Sequence, residues 1–310
     1  MPASQFSAAA QQVLDLFAEV FPPDPQDATV EQLRAADDRF FGSQTPPDAV
    51  VEPVRAGGVP SLWVGVPGSA EDRAVILFHG GGYLMGSAYG WRGVAAEIAR
   101  ATGFRVLAVD YRLAPEHTFP AAQQDAVAAY EWVAAQLGPQ AVVLAGASSG
   151  GNLVLTALHA IRAKGLPMPA AAVAASPWTD MTLTAATLES HADRDPLVSK
   201  AMLTRLRETY LGDHDPRDPL ASPLYGPLDD LPPLLLIAGT DETVLDDTRN
   251  FAAAATHAGA TVDVHLYQGV FHLWHNFPAI IPEGRAAITE IGAFIRKHAR
   301  RRWLTWPAVP

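Results

Sequence analysis

Two glycines four residues apart, Gly146 and Gly150, bracket a serine at the junction of an apolar run and a helical stretch. The run is Ala141-Val142-Val143-Leu144-Ala145, and the hexapeptide after it is Gly146-Ala147-Ser148-Ser149-Gly150-Gly151. Residues without a Cβ let the chain turn sharply from strand to helix without a clash. Ser148 sits at the apex, where a strained backbone is expected. Such a turn pushes one hydroxyl out of a packed sheet and onto a helix N-terminus, and only a strand, tight turn, helix unit satisfies it.

The rest of the chain repeats that rhythm. Residues 5–20 and 28–42 read as two amphipathic helices, split by Phe21-Pro22-Pro23-Asp24-Pro25. In the first, Val13, Leu14, Phe17 and Val20 recur at helical spacing. Strand-like segments follow at Ser61–Val66, Ala74–Phe78 and Arg105–Val109, then a helix at 121–137 and the strand at 141–145. A helix at 150–164, an apolar run at 170–175 and a strand at Leu234–Ala238 come next. A helix near 243–258, a strand at Thr261–Tyr267 and a helix at 283–299 complete the series. Strands alternating with helices predict an α/β fold, a mostly parallel sheet covered on both faces. The rhythm breaks between about 180 and 228, a stretch helical around 198–211 and then rich in Pro and Asp, which reads as an insertion.

At 310 residues with 49% apolar and 18% charged residues, the chain can bury a large core. Its net charge of −11 argues against nucleic acid and anionic lipid as partners. With no cysteine there is no disulfide, no thiolate nucleophile and no cysteine-held metal. A cytoplasmic location is expected, since the first residues lack the basic start and apolar core of a signal peptide. No run approaches the roughly 20 apolar residues that cross a bilayer. The cations Arg296, Lys297, Arg300, Arg301 and Arg302 suit the end of a helix dipole. The aromatic tail at 303–307 is expected to pack on the body or on a neighbouring subunit.

A G-x-S-x-G in the context described is a nucleophile elbow. Serine is a weak nucleophile that needs a base, a group to orient the base, and donors where an oxyanion forms. His79-Gly80-Gly81-Gly82-Tyr83 directly follows the strand ending at Phe78 and exposes backbone N–H groups beside the elbow. The N–H of Ser149, next after the nucleophile, is the expected remaining donor. The expected acid is Asp241, just past the strand 234–238, because ligand-facing residues gather at the carboxyl ends of such strands. Glu242, Asp246 and Asp247 compete, but they are expected on the solvated face of the next helix. Of ten histidines, His272 follows the last strand through a glycine turn, giving the order Ser148, Asp241, His272. His275 is the alternative base. The pair 272/275 lacks a local acidic or cysteine partner to make a metal site, so no metal is expected. His79 is expected to bond loop backbone.

His79-Gly80-Gly81-Gly82, Asp110-Tyr111-Arg112-Leu113-Ala114-Pro115-Glu116, the G-x-S-x-G-G-N at 146–152 and the Asp and His blocks together resemble the hormone-sensitive-lipase family of bacterial esterases. The resemblance spans roughly residues 60–300. It implies an α/β-hydrolase fold with an eight-stranded sheet and a helical cap. The expected division is 1–47 for N-terminal cap helices, 48–180 and 226–302 for the catalytic domain, and 181–225 for the cap insertion. It implies carboxylic-ester hydrolysis through an acyl-enzyme, with Ser148, Asp241 and His272 as triad, oxyanion donors at Gly81, Gly82 and Ser149, and no cofactor. Arg112 and Glu116 are expected as internal ion partners. Two departures stand out. Ala147 and Ser149 replace the usual Asp and Ala around the nucleophile, so the Ser149 hydroxyl is a competing hydrogen-bond partner. Asp241-Glu242-Thr243 replaces the usual Asp-Pro-Leu.

Tyr83, Leu84, Trp178 and Leu273 are the expected substrate contacts, with Met85, Phe271 and Trp274 flanking the same motifs. A capped apolar pocket predicts short- to medium-chain esters as the small-molecule partner. A lactone hydrolase on the same triad is the alternative. A silent ligand receptor is disfavoured, since receptors derived from such hydrolases typically lose the histidine. The final strand and helix present an edge through which a homodimer is expected.

Overall fold

The protein is described by a computed structural model covering residues 6–22 and 28–300; the aromatic tail at 303–307 lies outside the described residues. Eight strands form one sheet: β1 Val50–Ala56, β2 Val59–Gly65, β3 Ala70–Phe78, β4 Phe104–Val109, β5 Val142–Ala147, β6 Ala171–Ala175, β7 Leu234–Gly239 and β8 Val262–Tyr267. Their order is β1-β2-β4-β3-β5-β6-β7-β8. The pairs β1/β2 and β2/β4 are antiparallel and all others parallel. This is the expected α/β architecture with eight strands.

The helices are α1 Ala8–Val20, α2 Val30–Gly42, α3 Arg92–Thr102, α4 Ala121–Leu137, α5 Ser149–Ala163, α6 Thr187–Ser190, α7 Lys200–Leu211, α8 Leu245–His257 and α9 Pro282–His298. Alternation along the strands sorts the core into two layers. Ile76, Phe78, Val142, Leu144 and Leu236 face α4, α5 and α8. Val75, Leu77, Val143, Ala145 and Ile237 face α3 and α9. A strand covered on both sides must be apolar throughout, and β5, β6 and β7 are buried at every position. Each buried aliphatic side chain there stabilises the fold by about 1.5–3 kcal/mol before entropy is counted.

Three elements were not foreseen in the sequence: β1, α3 and the four-residue α6. β1 is an edge strand exposed over most of its length and carries Pro53, so it shows no burial alternation. α3 follows the glycine-rich loop and stops at Gly103, which adopts the left-handed conformation at φ 75°.

The two segments outside the α/β rhythm meet over the carboxyl ends of the strands. α2 starts in a capping box, with the Gln32 N–H donating to Thr29 Oγ1 at 3.2 Å and the Thr29 N–H to Gln32 Oε1 at 2.9 Å. Arg34 on α2 then grips the body. Its guanidinium donates to the carbonyls of Leu84 and Ala114, each at 2.9 Å, and to Glu116 at 2.7 and 2.8 Å. Glu116 therefore pairs with Arg34, not with Arg112. Arg112 turns to Asp125 on α4 at 2.8 Å instead. The expected internal pair is thus two separate pairs, because Arg112 lies over the start of α4 while Glu116 looks toward α2.

Candidate active site

Every part of the site hangs from the carboxyl end of a strand. β5 ends in the elbow, β3 in the glycine loop, β7 in the acidic turn, and β8 in the loop carrying the histidine. Ser148 has φ 56° and ψ −122°, the strain expected at the apex. Its N–H donates to the Ala175 carbonyl at 2.9 Å, which fixes the turn against β6. A Cβ on Gly146 would strike the Gly150 carbonyl, and one on Gly150 would strike the carbonyls of Phe78 and His79. Those two glycines are obligatory because strand, loop and helix backbones touch there.

His272 is buried, and its Nε2 lies 2.9 Å from Ser148 Oγ. The carboxylate on its other nitrogen is Glu242, with Oε2 3.2 Å from Nδ1. This corrects the expectation of Asp241. After β7 the chain turns so that Asp241 points outward, 3.9 Å from Arg194, while Glu242 folds back beneath the loop. Glu242 Oε1 accepts from the Gly239 N–H at 2.5 Å and from Ser176 Oγ at 2.7 Å. The side chain is wholly buried, not on a solvated face. Asp247 is buried as well, accepting the Thr179 and Asp180 N–H groups at 2.7 and 2.8 Å; burial pushes its carboxyl up to about 7. Among the described residues His275 meets no partner at either ring nitrogen, and burial pulls it down to about 3. No group of three or more metal-ligating side chains occurs among the described residues.

Burial by itself pulls the His272 imidazolium below its ordinary range. The hydrogen bond and charge of Glu242, with the charges of Asp195 and Asp247, outweigh it and leave the net shift upward. Asp195 reaches this centre from the insertion. It accepts the Thr243 N–H at 3.0 Å, next to Glu242, and burial pushes it up to about 6.

The glycine loop lies across from the elbow. Gly81 and Gly82 have φ 111° and 62°, so both need glycine. The Gly82 N–H donates to Ser149 Oγ at 2.9 Å, the competition foreseen from the sequence. The N–H groups of Gly81 and Ser149 meet no acceptor among the described residues. His79 bonds loop backbone as expected, with Nδ1 2.8 Å from the Gly80 carbonyl oxygen, and stacks on Tyr111 at 4.1 Å.

A cavity of about 540 Å³ opens over Ser148 and His272. Its wall is mainly apolar and comes from α1, α2, the glycine loop and the insertion through α7. Leu84, Trp178 and Leu273, the expected substrate contacts, are among the residues that line it. Tyr83 does not. It is turned into the core, stacked on Tyr210 at 3.9 Å, with its hydroxyl 2.5 Å from Asn152 Oδ1. Asn152 also donates to the carbonyls of Trp178 and Ala221 at 2.6 and 2.8 Å, tying the elbow helix to both ends of the insertion.

A family model described as an alpha/beta hydrolase fold matches residues 75–276. A crystal structure of an esterase from the bacterial hormone-sensitive lipase family superposes with a TM-score of 0.91 at 41% identity, over 95% of this chain and 99% of that one. The chain belongs to the hormone-sensitive-lipase branch of the α/β-hydrolases. The chain is also similar to an acetyl-hydrolase of Streptomyces hygroscopicus, 42% identical over 272 residues, covering 86% of this chain and 90% of that protein. The esterase EstE5, in a crystal soaked with p-nitrophenyl butyrate, matches with a TM-score of 0.88 at 37% identity, over 94% and 98% of the two chains. No described helix of this family member is long and apolar enough to cross a membrane.

Proposed function

We propose that the protein is a serine carboxylesterase that cleaves short- to medium-chain esters through an acyl-enzyme. The observation that carries this reading is the unbroken hydrogen-bonded line Ser148, His272, Glu242 at the floor of the apolar cavity. His272 takes the Ser148 proton as Oγ attacks the ester carbonyl. The Gly81 and Ser149 N–H groups receive the oxyanion. The alcohol departs with the proton from His272, and a water activated by the same imidazole releases the acid. Glu242 holds the imidazole tautomer and stabilises the imidazolium. Helices α1, α2 and the 181–225 insertion form the cap, which bounds the acyl length.

The test is hydrolysis of a chain-length series of p-nitrophenyl esters, with a fluorophosphonate label on the serine. Ser148→Ala should lose both turnover and label while keeping its thermal transition. Wild-type rates in that variant, or best turnover on long-chain esters, would refute the reading. The absence of cysteine suits a cytoplasmic setting. The β8 edge, exposed at Val264, is the surface assigned to pairing with a second copy, and sedimentation of the protein tests it.

A further inference from the structure

Asp195 bridges two segments that lie 48 residues apart in the chain. It belongs to the insertion, just after α6, and is only 6% exposed. Its Oδ1 accepts the N–H groups of Leu197 and Val198 at 3.1 and 3.3 Å. Its Oδ2 accepts the Thr243 N–H at 3.0 Å. The Thr243 hydroxyl donates back to the Val198 carbonyl at 3.2 Å. Residues 196–199 line the cavity, and Thr243 directly follows Glu242. One carboxylate therefore joins a wall of the cavity to the turn that carries the partner of His272.

Both oxygens are engaged by backbone N–H groups, so the side chain fixes two backbone segments against each other. Bonds of that kind to a carboxylate are about twice as strong as neutral ones. The carboxylate also acts at a distance. The charged groups that bear on it are His272, from the loop after β8, and Glu242, from the turn after β7. Those that bear on His272 are Glu242, Asp195 and Asp247 of α8, with His275 alongside. A negative charge near an imidazole favours its protonated form, and burial leaves that attraction little screened by salt. Among the described carboxylates only Glu242 bonds the ring. Asp195 thus works through the turn and through its charge, not by touching the imidazole.

We propose that Asp195 is a positioning residue that locks the insertion's cavity wall to the Glu242 turn, keeps Glu242 in line with His272, and adds a second negative charge to the surroundings of the imidazole. This deepens the esterase reading above and rests on it. The experiment records kcat and KM against pH on a short p-nitrophenyl ester, with the thermal transition of each protein. Asp195→Asn is uncharged and can accept on one side only. It should lower kcat about tenfold, as slight misplacement of a reacting group does, and raise KM. Its acid limb should move down by roughly half a unit to one unit. Asp195→Glu keeps the charge but not the spacing, so kcat should fall while the limb stays. Thr243→Val keeps the N–H bond and the charge, so KM should rise with no movement of the limb. The proposal is overturned if Asp195→Asn leaves kcat and the limb at wild-type values while lowering the melting temperature, or if Thr243→Val displaces the limb as far as Asp195→Asn does. Should Asp195→Asn give no thermal transition, Asp195→Glu decides, and wild-type kcat in that variant overturns the proposal. Loss of turnover in Ser148→Ala reports separately on the esterase reading.

Discussion

Glu242 Oε2 lies 3.2 Å from His272 Nδ1, whereas Asp241, one residue earlier, faces Arg194 at 3.9 Å. The two carboxylates are adjacent in the chain and opposite in role. Glu242→Gln should lower kcat roughly a hundredfold to ten-thousandfold, as loss of a triad carboxylate does elsewhere. Asp241→Asn should stay within a few-fold of wild type. Steady-state kinetics on one short ester decides between them, and the reverse ranking would return the acid to Asp241.

The same carboxylate sets the pH dependence. His272 must be neutral to take a proton, so kcat/KM falls as pH drops through its pKa. With the net shift upward, the acid limb should have its midpoint above 6.5, the value of an unperturbed imidazole. Glu242→Gln removes the largest upward influence while burial remains, so the limb should move to lower pH in whatever activity is left. A pH profile of kcat/KM for both proteins checks the sign. For stability the dependence runs the other way: a histidine whose folded pKa is raised stabilises the fold at pH below its unfolded value, and this contribution fades as pH rises through the folded one.

What could be read from the sequence was local. The elbow, the glycine loop and the histidine loop are each fixed by a few contiguous residues that no other backbone path suits. Gly146 and Gly150 are demanded by backbone contact within one turn. The acid was not legible in that way, because the choice between Asp241 and Glu242 depends on how the turn after Gly239 lies against Val270, which accepts the Asp241 N–H at 3.3 Å. The one signal present was the departure from Asp-Pro-Leu, which puts a second carboxylate where the family usually has proline. Tyr83 was misplaced for a similar reason. A tyrosine after a glycine loop can face the cavity or the core, and Asn152, 69 residues away, settles it for the core.

Arg34 is the tether between α2 and the glycine loop. Its guanidinium satisfies the Leu84 and Ala114 carbonyls as well as Glu116. Arg34→Ala should loosen the wall formed by α2 and Leu84 and raise KM several-fold, with a smaller change in kcat. Arg34→Lys should not rescue it, because an ammonium lacks the fork that spans three acceptors. Glu116→Gln should change little, since its side chain is half exposed and surface pairs contribute weakly. KM for a short ester in the three variants separates backbone tethering from simple charge pairing.

The glycines differ in what they protect. At Gly150 a Cβ would meet the Phe78 and His79 carbonyl oxygens, so Gly150→Ala must push the elbow helix away from β3. Overpacking of that kind costs about 1–3 kcal/mol, and more where only backbone can give way. At Gly103 the φ of 75° disfavours alanine, but a Cβ there meets nothing within 4 Å. Gly103→Ala should therefore cost only the left-handed strain, roughly 1–2 kcal/mol, and keep esterase activity. Gly150→Ala should lose activity even below its own melting temperature, because the Ser149 N–H and Ser148 Oγ move with the helix. Thermal unfolding paired with kcat for the two variants tests this, and equal activities at equal stability would show that the elbow tolerates the displacement.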